Sequence, residues 1–264
     1  MQTSKLFISF SNIQEVQLIT GKEYALKADD LIVYSIYLPN FINLKPDLTK
    51  FLSSIELNKA ERFHKELDRN QYIICRSILK IVLASYTKLD AKNISLDYHF
   101  NKKPYLASHP GLFFNISHSG DFAVIAISRN NVGIDIECIS EDLNFANLLP
   151  DIFEENEILN IQNAVNKKQA FYTLWTRKEA FVKALGKGID DDFKYIPCLD
   201  GQHHLDSNLV KTTKNWQVLS FELSEHYLGA IAFECLSTIS KTITSFIMPN
   251  TMKDLLEMTQ TKND

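Results

Sequence analysis

The feature that most constrains the fold is a mixture of helical and β-rich segments that occurs in both halves of the chain. In the first half, a buried strand pattern at residues 31–38 precedes a helical pattern from Lys59 to Tyr86, whose second half is strongly apolar. Turn-forming residues then separate four β-rich runs, which span residues 94–100, 112–116, 122–128 and 132–138. Asn130-Asn131, between the last two runs, predicts a hairpin.

The second half repeats this mixture. Helical patterns cover residues 153–163 and 167–185, and the second is expected to end at Gly186, a typical helix C-terminal glycine. β-rich runs return at residues 216–223, 227–235 and 238–247. The comparable order favours an α+β fold with two related subdomains. We expect them at residues 31–130 and 131–248, between a peripheral N-terminal extension, 1–30, and a polar tail, 249–264.

Composition narrows the class of protein. The chain has 264 residues, 45% of them hydrophobic, so it can bury a full core. It contains no stretch of about 18 consecutive apolar residues, no N-terminal leader pattern and no CxxC pair. We therefore expect a cytoplasmic protein with reduced thiols and no membrane contact. Residues 59–103 carry ten Lys or Arg against five Asp or Glu, which favours a phosphate ligand or an acidic protein over nucleic acid.

Two short segments carry the chemistry. Asp135 and Glu137 alternate with isoleucines in a β-branched run, so both carboxylates leave one face of a predicted strand. Glu179 and Lys183 lie four residues apart in a helical pattern and share a helix face. Taken alone, the first pair is more often a solvated strand face, and the second a surface ion pair contributing about 0.3–0.5 kcal/mol. Together, three acids and a lysine suit Mg²⁺ bound to a diphosphate.

The order of four motifs gives a more specific interpretation. They are FNISHSG at residues 114–120, GIDIE at 133–137, LWTRKEAFVKALGKG at 174–188 and the NKKP loop at 101–104. In this order and spacing the chain resembles the Sfp-type 4′-phosphopantetheinyl transferase family. The resemblance implies two α+β subdomains related by a pseudo-twofold axis, with coenzyme A in the cleft between them.

It also implies an activity: Mg²⁺-dependent transfer of 4′-phosphopantetheine from coenzyme A to a serine of an apo acyl or peptidyl carrier protein, with release of adenosine 3′,5′-bisphosphate. Asp135, Glu137 and Glu179 would hold the metal, and Lys183 would contact the phosphates. Glu179 is the first candidate for the general base, and Glu157 is an alternative. A chain that contains its own cleft is expected to work as a monomer.

Further residues are implied to bind coenzyme A. Ser117 and His118 would face a phosphate, although Ser119-Gly120-Asp121 is also an ordinary turn signal. Lys103 would grip the 3′-phosphate or the diphosphate. One or more basic residues of the helical segment would assist it, or would only form the exposed side of an amphipathic helix. These four candidates are Lys59, Arg62, Lys65 and Arg69.

Two rival functions fit the same residues. A Mg²⁺-dependent hydrolase of a nucleotide diphosphate could use the same acids and lysine, but the chain has no Walker-type glycine-rich sequence. A non-catalytic carrier-protein binder would be expected to have lost some of the acids or Lys183, and all four are present. A transferase needs coenzyme A and a carrier, a hydrolase needs only water, and a binder consumes neither.

Overall fold

Two five-stranded sheets form the centre of the protein in a computed structural model, which describes residues 4–17, 26–27, 30–210, 212–235 and 243–259. The strands of the first half are β1 (Ser4–Phe10), β2 (Ile13–Gln17), β3 (Leu31–Tyr37), β4 (Asp97–Tyr98), β5 (Pro104–Tyr105), β6 (Phe113–Ser119) and β7 (Phe122–Ser128). The later strands are β8 (Val132–Cys138), β9 (Gly201–Leu205), β10 (Trp216–Ser224), β11 (Tyr227–Glu234) and β12 (Ile243–Ile247).

Two long α-helices accompany the sheets, together with shorter ones. The helices are α1 (Lys45–Leu48), α2 (Ser54–Glu61), α3 (Glu66–Thr87), α4 (Leu149–Ile152), α5 (Glu155–Asn163), α6 (Lys167–Leu185), α7 (Ser207–Val210) and α8 (Met252–Glu257). Helix α6 has the predicted bounds. The Asn166 side chain accepts a hydrogen bond from the Gln169 backbone at its start, and Gly186 ends it with a φ of +68°.

The sheets have the strand orders β2-β12-β3-β7-β6 (the first sheet) and β8-β11-β10-β1-β9 (the second sheet). Helix α3 packs its apolar face on one side of the first sheet, with Ile74, Ile78 and Val82 in a common core with β3 and β7. Helix α6 packs on the second sheet through Phe181 and Ala184. A third apolar cluster joins inward-facing residues of both sheets. This mixture of helices and sheets confirms the α+β class, whereas the pseudo-twofold relation remains a prediction.

The predicted hairpin at Asn130-Asn131 is wrong. Strand β7 pairs with β3 and β6 in the first sheet, whereas β8 pairs with β11 in the second. The two asparagines therefore lie where the chain passes from one sheet to the other. Ile134 and Ile136 of β8 are buried in the apolar cluster between the sheets, so burial of these side chains does not require β8 to pair with β7.

Long-range pairing also departs from the predicted order. Residues 4–10 are not peripheral: β1 lies between β10 and β9 in the second sheet, and Leu6 and Ile8 are buried. Strand β12 lies between β2 and β3 in the first sheet. The subdomain limits at residues 31–130 and 131–248 remain a prediction, but each sheet takes one strand from the far end of the chain.

Smaller differences concern element bounds. The predicted helix over residues 59–86 is two helices, α2 and α3, and the predicted strand over 94–100 shortens to β4. The first part of the predicted strand at 238–247, residues 238–242, lies outside the described residues. Among the helices that the structure describes, none has the length and apolarity to cross a membrane.

Candidate active site

Strand β8 presents two acids from one face at the edge of the second sheet. Asp135 and Glu137 alternate with Ile134 and Ile136, which are buried against the first sheet. Asp135 is itself buried, at 3% exposure, and Glu137 is half-buried. The alternation predicted from the sequence therefore sets one polar face and one apolar face on this strand.

Gly133 allows helix α6 to lie directly on β8. A Cβ atom at this position would lie 2.2 Å from the Ala180 carbonyl oxygen and 2.3 Å from the Ala184 nitrogen, both in the helix backbone. Only glycine permits so close an approach. The contact brings Glu179 and Lys183, one helical turn apart, to the polar face of the strand.

Lys183 and Asp135 form the central contact of this site. The Lys183 Nζ lies 2.5 Å from Asp135 Oδ1 and donates to Ser117 Oγ at 3.2 Å. Asp135 Oδ2 is also buried, but it has no hydrogen-bond partner among the described residues. The ammonium thus satisfies one carboxylate oxygen, and the other oxygen is an acceptor without a donor among the described residues.

The remaining acids of the site do not all have cationic partners. Burial raises the pKa of Glu179 to about 7; Lys183 opposes this rise, and the negative charges of Asp135 and Glu137 add to it. Burial and the Asp135 charge also raise the pKa of Glu137, against hydrogen bonds from Ser119 and the Trp175 indole. Three acids with one lysine form an electrostatically unbalanced cluster (the acid cluster: Asp135, Glu137 and Glu179).

Strand β6 brings Ser117 and His118 beside the acid cluster, but in different settings. The family resemblance predicts that Ser117 faces a phosphate. In the structure its buried hydroxyl donates to Asp135 Oδ1 at 2.9 Å, so it is directed at an acid. His118 is on the opposite face of the strand and is exposed. Partial desolvation and the Lys183 charge lower the pKa of His118, which favours the neutral imidazole.

Lys103 does not have the phosphate-binding position predicted for it. Its Nζ donates to the carbonyl oxygens of Val132, Lys183 and Ala184 at 3.1, 2.7 and 3.3 Å. Burial lowers its pKa to about 8. The ammonium is thus occupied at the C-terminal end of α6, where free carbonyl groups favour a cation, and it joins the NKKP loop to the second sheet.

Glu157 is held in a buried ion pair, which contradicts its prediction as an alternative general base. Its Oε2 lies 2.9 Å from Lys178 Nζ, and the exposed fractions of the two side chains are 2% and 0%. Its Oε1 accepts a hydrogen bond from the Cys198 backbone nitrogen. A carboxylate enclosed in this way has a structural role.

The four basic candidates of the helical segment are distributed over its exposed side. Lys59, Arg62 and Lys65 are exposed, and Arg69 is half-buried. Of these four, Lys59 lies near further basic side chains. Its Nζ is also 5.2 Å from the centroid of the Tyr72 ring. Desolvation, Arg76 and Lys102 all lower the pKa of Lys59, while Glu56 opposes them.

Arg76 is the member of this group that the sequence interpretation missed. Its side chain is 10% exposed, its Nη2 donates to the Tyr98 hydroxyl at 2.9 Å, and its Nη1 is buried without a hydrogen-bond partner among the described residues. The available signal was a lone arginine within the apolar half of α3. We name Lys59, Arg76 and Lys102 the basic cluster.

The acid cluster suits a hard divalent cation chemically. Carboxylate oxygens are the ligands that Mg²⁺ prefers, and the buried Asp135 Oδ2 has no hydrogen-bond partner in the part of the chain that the structure describes. The side chains are not arranged as a complete site, however: within the described ranges no group of three His, Cys, Asp or Glu residues is placed to hold a metal. A substrate phosphate would have to complete the ligand set.

Comparisons with known proteins identify the family of this chain. A family model described as "4′-phosphopantetheinyl transferase, N-terminal" matches residues 46–130. The family model of the 4′-phosphopantetheinyl transferase superfamily matches residues 131–232. The latter range contains the acid cluster and Lys183.

Curated relatives carry the same name. The 4′-phosphopantetheinyl transferase HetI of Nostoc sp. strain PCC 7120 is 31% identical over 183 residues, covering 67% of this chain and 77% of that protein. A 4′-phosphopantetheinyl transferase of Bacillus subtilis is 29% identical, covering 75% of this chain and 90% of its own length. Sfp of B. subtilis strain 168 is 28% identical over 64% of this chain and 78% of its own. The chain therefore belongs to the 4′-phosphopantetheinyl transferase superfamily.

Proposed function

We propose that this protein transfers 4′-phosphopantetheine from coenzyme A to a serine of an apo acyl or peptidyl carrier protein. The reaction requires Mg²⁺, releases adenosine 3′,5′-bisphosphate and is carried out by a monomer in the cytoplasm. The observation that carries the proposal is the acid cluster with Lys183, at the contact of β8 and α6, in a chain of this superfamily.

Asp135, Glu137 and Glu179 would hold the Mg²⁺ together with the diphosphate of coenzyme A. Two observations support this assignment: Asp135 Oδ2 has no partner among the residues that the structure describes, and the three carboxylates repel one another. The bound ion would neutralise charge on the diphosphate as the leaving group departs. The protein thus supplies oxygen ligands that are already desolvated, at the cost of keeping like charges close together.

Lys183 is the residue that would contact the transferred phosphoryl group. The Lys183 side chain is 28% exposed and the Asp135 side chain is 4% exposed, so the ammonium lies on the solvent-facing side of the pair. A compact ammonium with three donors can bind a phosphoryl oxygen without planar geometry. Lys183 would therefore stabilise the charge that develops on the phosphoryl oxygens in the transition state.

Glu179 is the proposed general base. The carrier serine Oγ would form a bond to the phosphorus that bears pantetheine, and the anhydride bond from that phosphorus to the adenosine phosphate would break. The serine proton would pass to the Glu179 carboxylate, and the electron pair of the broken bond would leave with adenosine 3′,5′-bisphosphate. In the metal-free site, burial raises the pKa of Glu179 to about 7, above that of an ordinary carboxylate.

The basic cluster is the proposed site for the 3′-phosphate of coenzyme A. The buried Nη1 of Arg76, which has no hydrogen-bond partner among the described residues, offers a donor. The charges of Arg76 and Lys102 act with desolvation to lower the pKa of Lys59, against the Glu56 carboxylate, whose Oε1 lies 3.7 Å from Arg76 Nε. A dianionic phosphate would satisfy the donor and offset the positive charges. This proposal replaces Lys103, whose ammonium already binds three carbonyls.

The test is intact-mass spectrometry of apo acyl and peptidyl carrier proteins incubated with the protein, coenzyme A and Mg²⁺. We expect the mass gain of one phosphopantetheine, lost with EDTA and with Asp135→Ala. Hydrolysis of coenzyme A without a gain on any carrier would favour the hydrolase, and binding of coenzyme A without consumption would favour the binder.

Dephospho-coenzyme A tests the basic cluster separately. Arg76→Ala should raise the KM for coenzyme A by at least about tenfold, as expected for a lost charged contact. It should leave the KM for dephospho-coenzyme A within about twofold of wild type. Equal effects on both substrates would contradict a contact to the 3′-phosphate.

A further inference from the structure

The edges of the two sheets meet at β6 and β8 through side chains instead of a backbone ladder. Strand β6 is the edge of the first sheet and β8 is the edge of the second. Three polar side chains of β6 accept hydrogen bonds from backbone nitrogens of β8. These bonds run from Ile134 to Asn115 Oδ1 at 2.8 Å, from Ile136 to Ser117 Oγ at 3.4 Å and from Cys138 to Ser119 Oγ at 3.0 Å.

The two serines have a second bond that the asparagine does not make. A hydroxyl that accepts a hydrogen bond from a backbone nitrogen still has its own proton to donate. Ser117 donates to Asp135 Oδ1, and Ser119 donates to Glu137 Oε2, each at 2.9 Å. Each serine therefore bridges an acid and the backbone nitrogen of the residue that follows it, and the twofold period of the strands repeats the arrangement.

The two acids depend on their serines to different degrees. Asp135 Oδ1 is also bound by Lys183, so it remains held if the Ser117 hydroxyl is lost. Glu137 accepts from Ser119 and from the Trp175 indole, both of which are neutral donors. A carboxylate on a flexible two-carbon stem that loses one of two neutral donors gains rotamer freedom.

We propose that Ser119 is a positioning residue, which fixes the Glu137 carboxylate for metal binding. The proposal rests on the function proposed above, because it takes Glu137 as a metal ligand. Ser119 would act through Glu137 and not on a reacting atom. It sets the direction of one Glu137 oxygen through Oγ and ties that direction to the backbone of β8, so the carboxylate would be presented to the ion in a fixed orientation.

The experiment measures Mn²⁺ binding by electron paramagnetic resonance in the presence of coenzyme A, without a carrier protein. Ser119→Ala should raise the Kd for Mn²⁺ about tenfold, which is typical when a residue that orients a metal ligand is removed. Ser119→Thr retains the hydroxyl and should stay within about twofold of wild type. Ser117→Ala should have a smaller effect than Ser119→Ala, because Lys183 still holds Asp135.

Ser128→Ala is the matched control. The Ser128 hydroxyl also accepts from a backbone nitrogen, that of Asn130, and donates to an oxygen, the Asp30 carbonyl, at the end of β7. It should leave the Kd for Mn²⁺ unchanged. If Ser119→Ala does not fold, as judged by circular dichroism, Ser119→Cys replaces it, since a thiol is a weaker donor of similar size, and a Kd raised about threefold is expected.

The outcomes separate this inference from the proposed function. A wild-type protein that labels carriers, combined with a variant lacking the Ser119 hydroxyl that keeps its Mn²⁺ affinity within twofold, overturns the inference alone. A wild-type protein that labels no carrier contradicts the proposed function, while a tenfold loss of Mn²⁺ affinity in Ser119→Ala still supports the inference. A wild-type protein that binds no Mn²⁺ with coenzyme A contradicts both.

Discussion

Lys178 and Glu179 are neighbours on helix α6, yet they belong to two different regions. The charged groups are paired in one region, and carboxylates are in excess in the other. Lys178 is fully buried, and its Nζ contacts Glu157 Oε2 at 2.9 Å and the carbonyl oxygens of Lys194 and Ile196 at 2.7 and 2.5 Å. All three donors of its ammonium are used. We call this region the closed pair, Glu157 with Lys178.

Glu179 belongs to the acid cluster, where the carboxylates outnumber the ammonium groups. Three carboxylates share Lys183, Asp135 Oδ2 lacks a partner among the described residues, and the pKa of Glu179 is raised to about 7. Helical periodicity alone does not distinguish these two sets of acids and lysines; the family resemblance ranked Glu179 above Glu157 as the candidate base. The difference teaches that satisfied buried charges mark architecture, whereas unsatisfied ones mark a site that is completed by a ligand.

Breaking the closed pair should produce the largest effect. Lys178→Ala leaves Glu157 and the carbonyl oxygens of Lys194 and Ile196 without their donor, so we expect the free energy of unfolding to fall by about 3–5 kcal/mol. Urea denaturation followed by circular dichroism measures it. Transfer activity per folded molecule should stay close to that of wild type, and a loss below about 1 kcal/mol would contradict the structural role.

Lys183→Ala should reverse that pattern. We expect the transfer rate to fall by about 10²–10³-fold, the usual effect of removing one charge-stabilising donor. The free energy of unfolding should change less than in Lys178→Ala, because Lys183 is 28% exposed and the site can take up a cation. Single-turnover labelling of a carrier protein measures the rate, and a stability loss equal to that of Lys178→Ala would remove the distinction between the two regions.

Glu179→Gln should stabilise the ligand-free protein while abolishing transfer. The pKa of Glu179 is about 7 in the folded state against an ordinary 4.5, so the folded state binds a proton more tightly than the unfolded state. The wild-type free energy of unfolding therefore falls as pH rises from about 4.5 through 7, and the full penalty applies above that range.

Because glutamine removes this charge, we expect a gain of about 1–3 kcal/mol at pH 8 and little change at pH 4. Thermal and urea unfolding of both proteins at the two pH values measure it. A variant that is less stable than wild type at pH 8 would show that Glu179 is satisfied, in contradiction to an unbalanced cluster.

Lys103 is an intermediate case, a half-buried lysine whose described hydrogen bonds from Nζ go to carbonyl oxygens, and should give the smallest effect. Burial lowers its pKa to about 8 from 10.5, so the unfolded state holds the proton more tightly between these values. The wild-type protein should thus gain about 1 kcal/mol relative to Lys103→Met as pH rises from 7 to 9.5. Parallel pH curves for the two proteins would contradict the assigned burial.

Local patterns predicted the parts of the fold that are decided by near neighbours. Strands β7 and β8 and helix α6 have the predicted bounds, because two-residue and helical periodicities coincide there with clear turn or cap residues. The placement of Asp135, Glu137, Glu179 and Lys183 on one site followed from the same periods and from the family resemblance.

Features set by distant partners were not predictable in this way. Nothing in the sequence near Lys103 indicates that its ammonium caps the end of α6, about 80 residues further on. Glu157 and Glu179 both lie in helical segments with acidic and basic neighbours, and only tertiary packing closes one and leaves the other open. Asn130-Asn131 is a turn signal, but a turn can lead to another sheet as readily as back to the same one.

The exchange of terminal strands between the sheets bears on how the chain matures on the ribosome. Strand β12 separates β2 from β3, so the first sheet stays incomplete until residues 243–247 have emerged. Strand β1 in turn waits for β9 and β10. The early segments must remain unpaired through most of translation, when free strand edges are open to wrong partners. Fragments that end before residues 243–247 should therefore depend on chaperones, whereas a chain that includes these residues can complete both sheets.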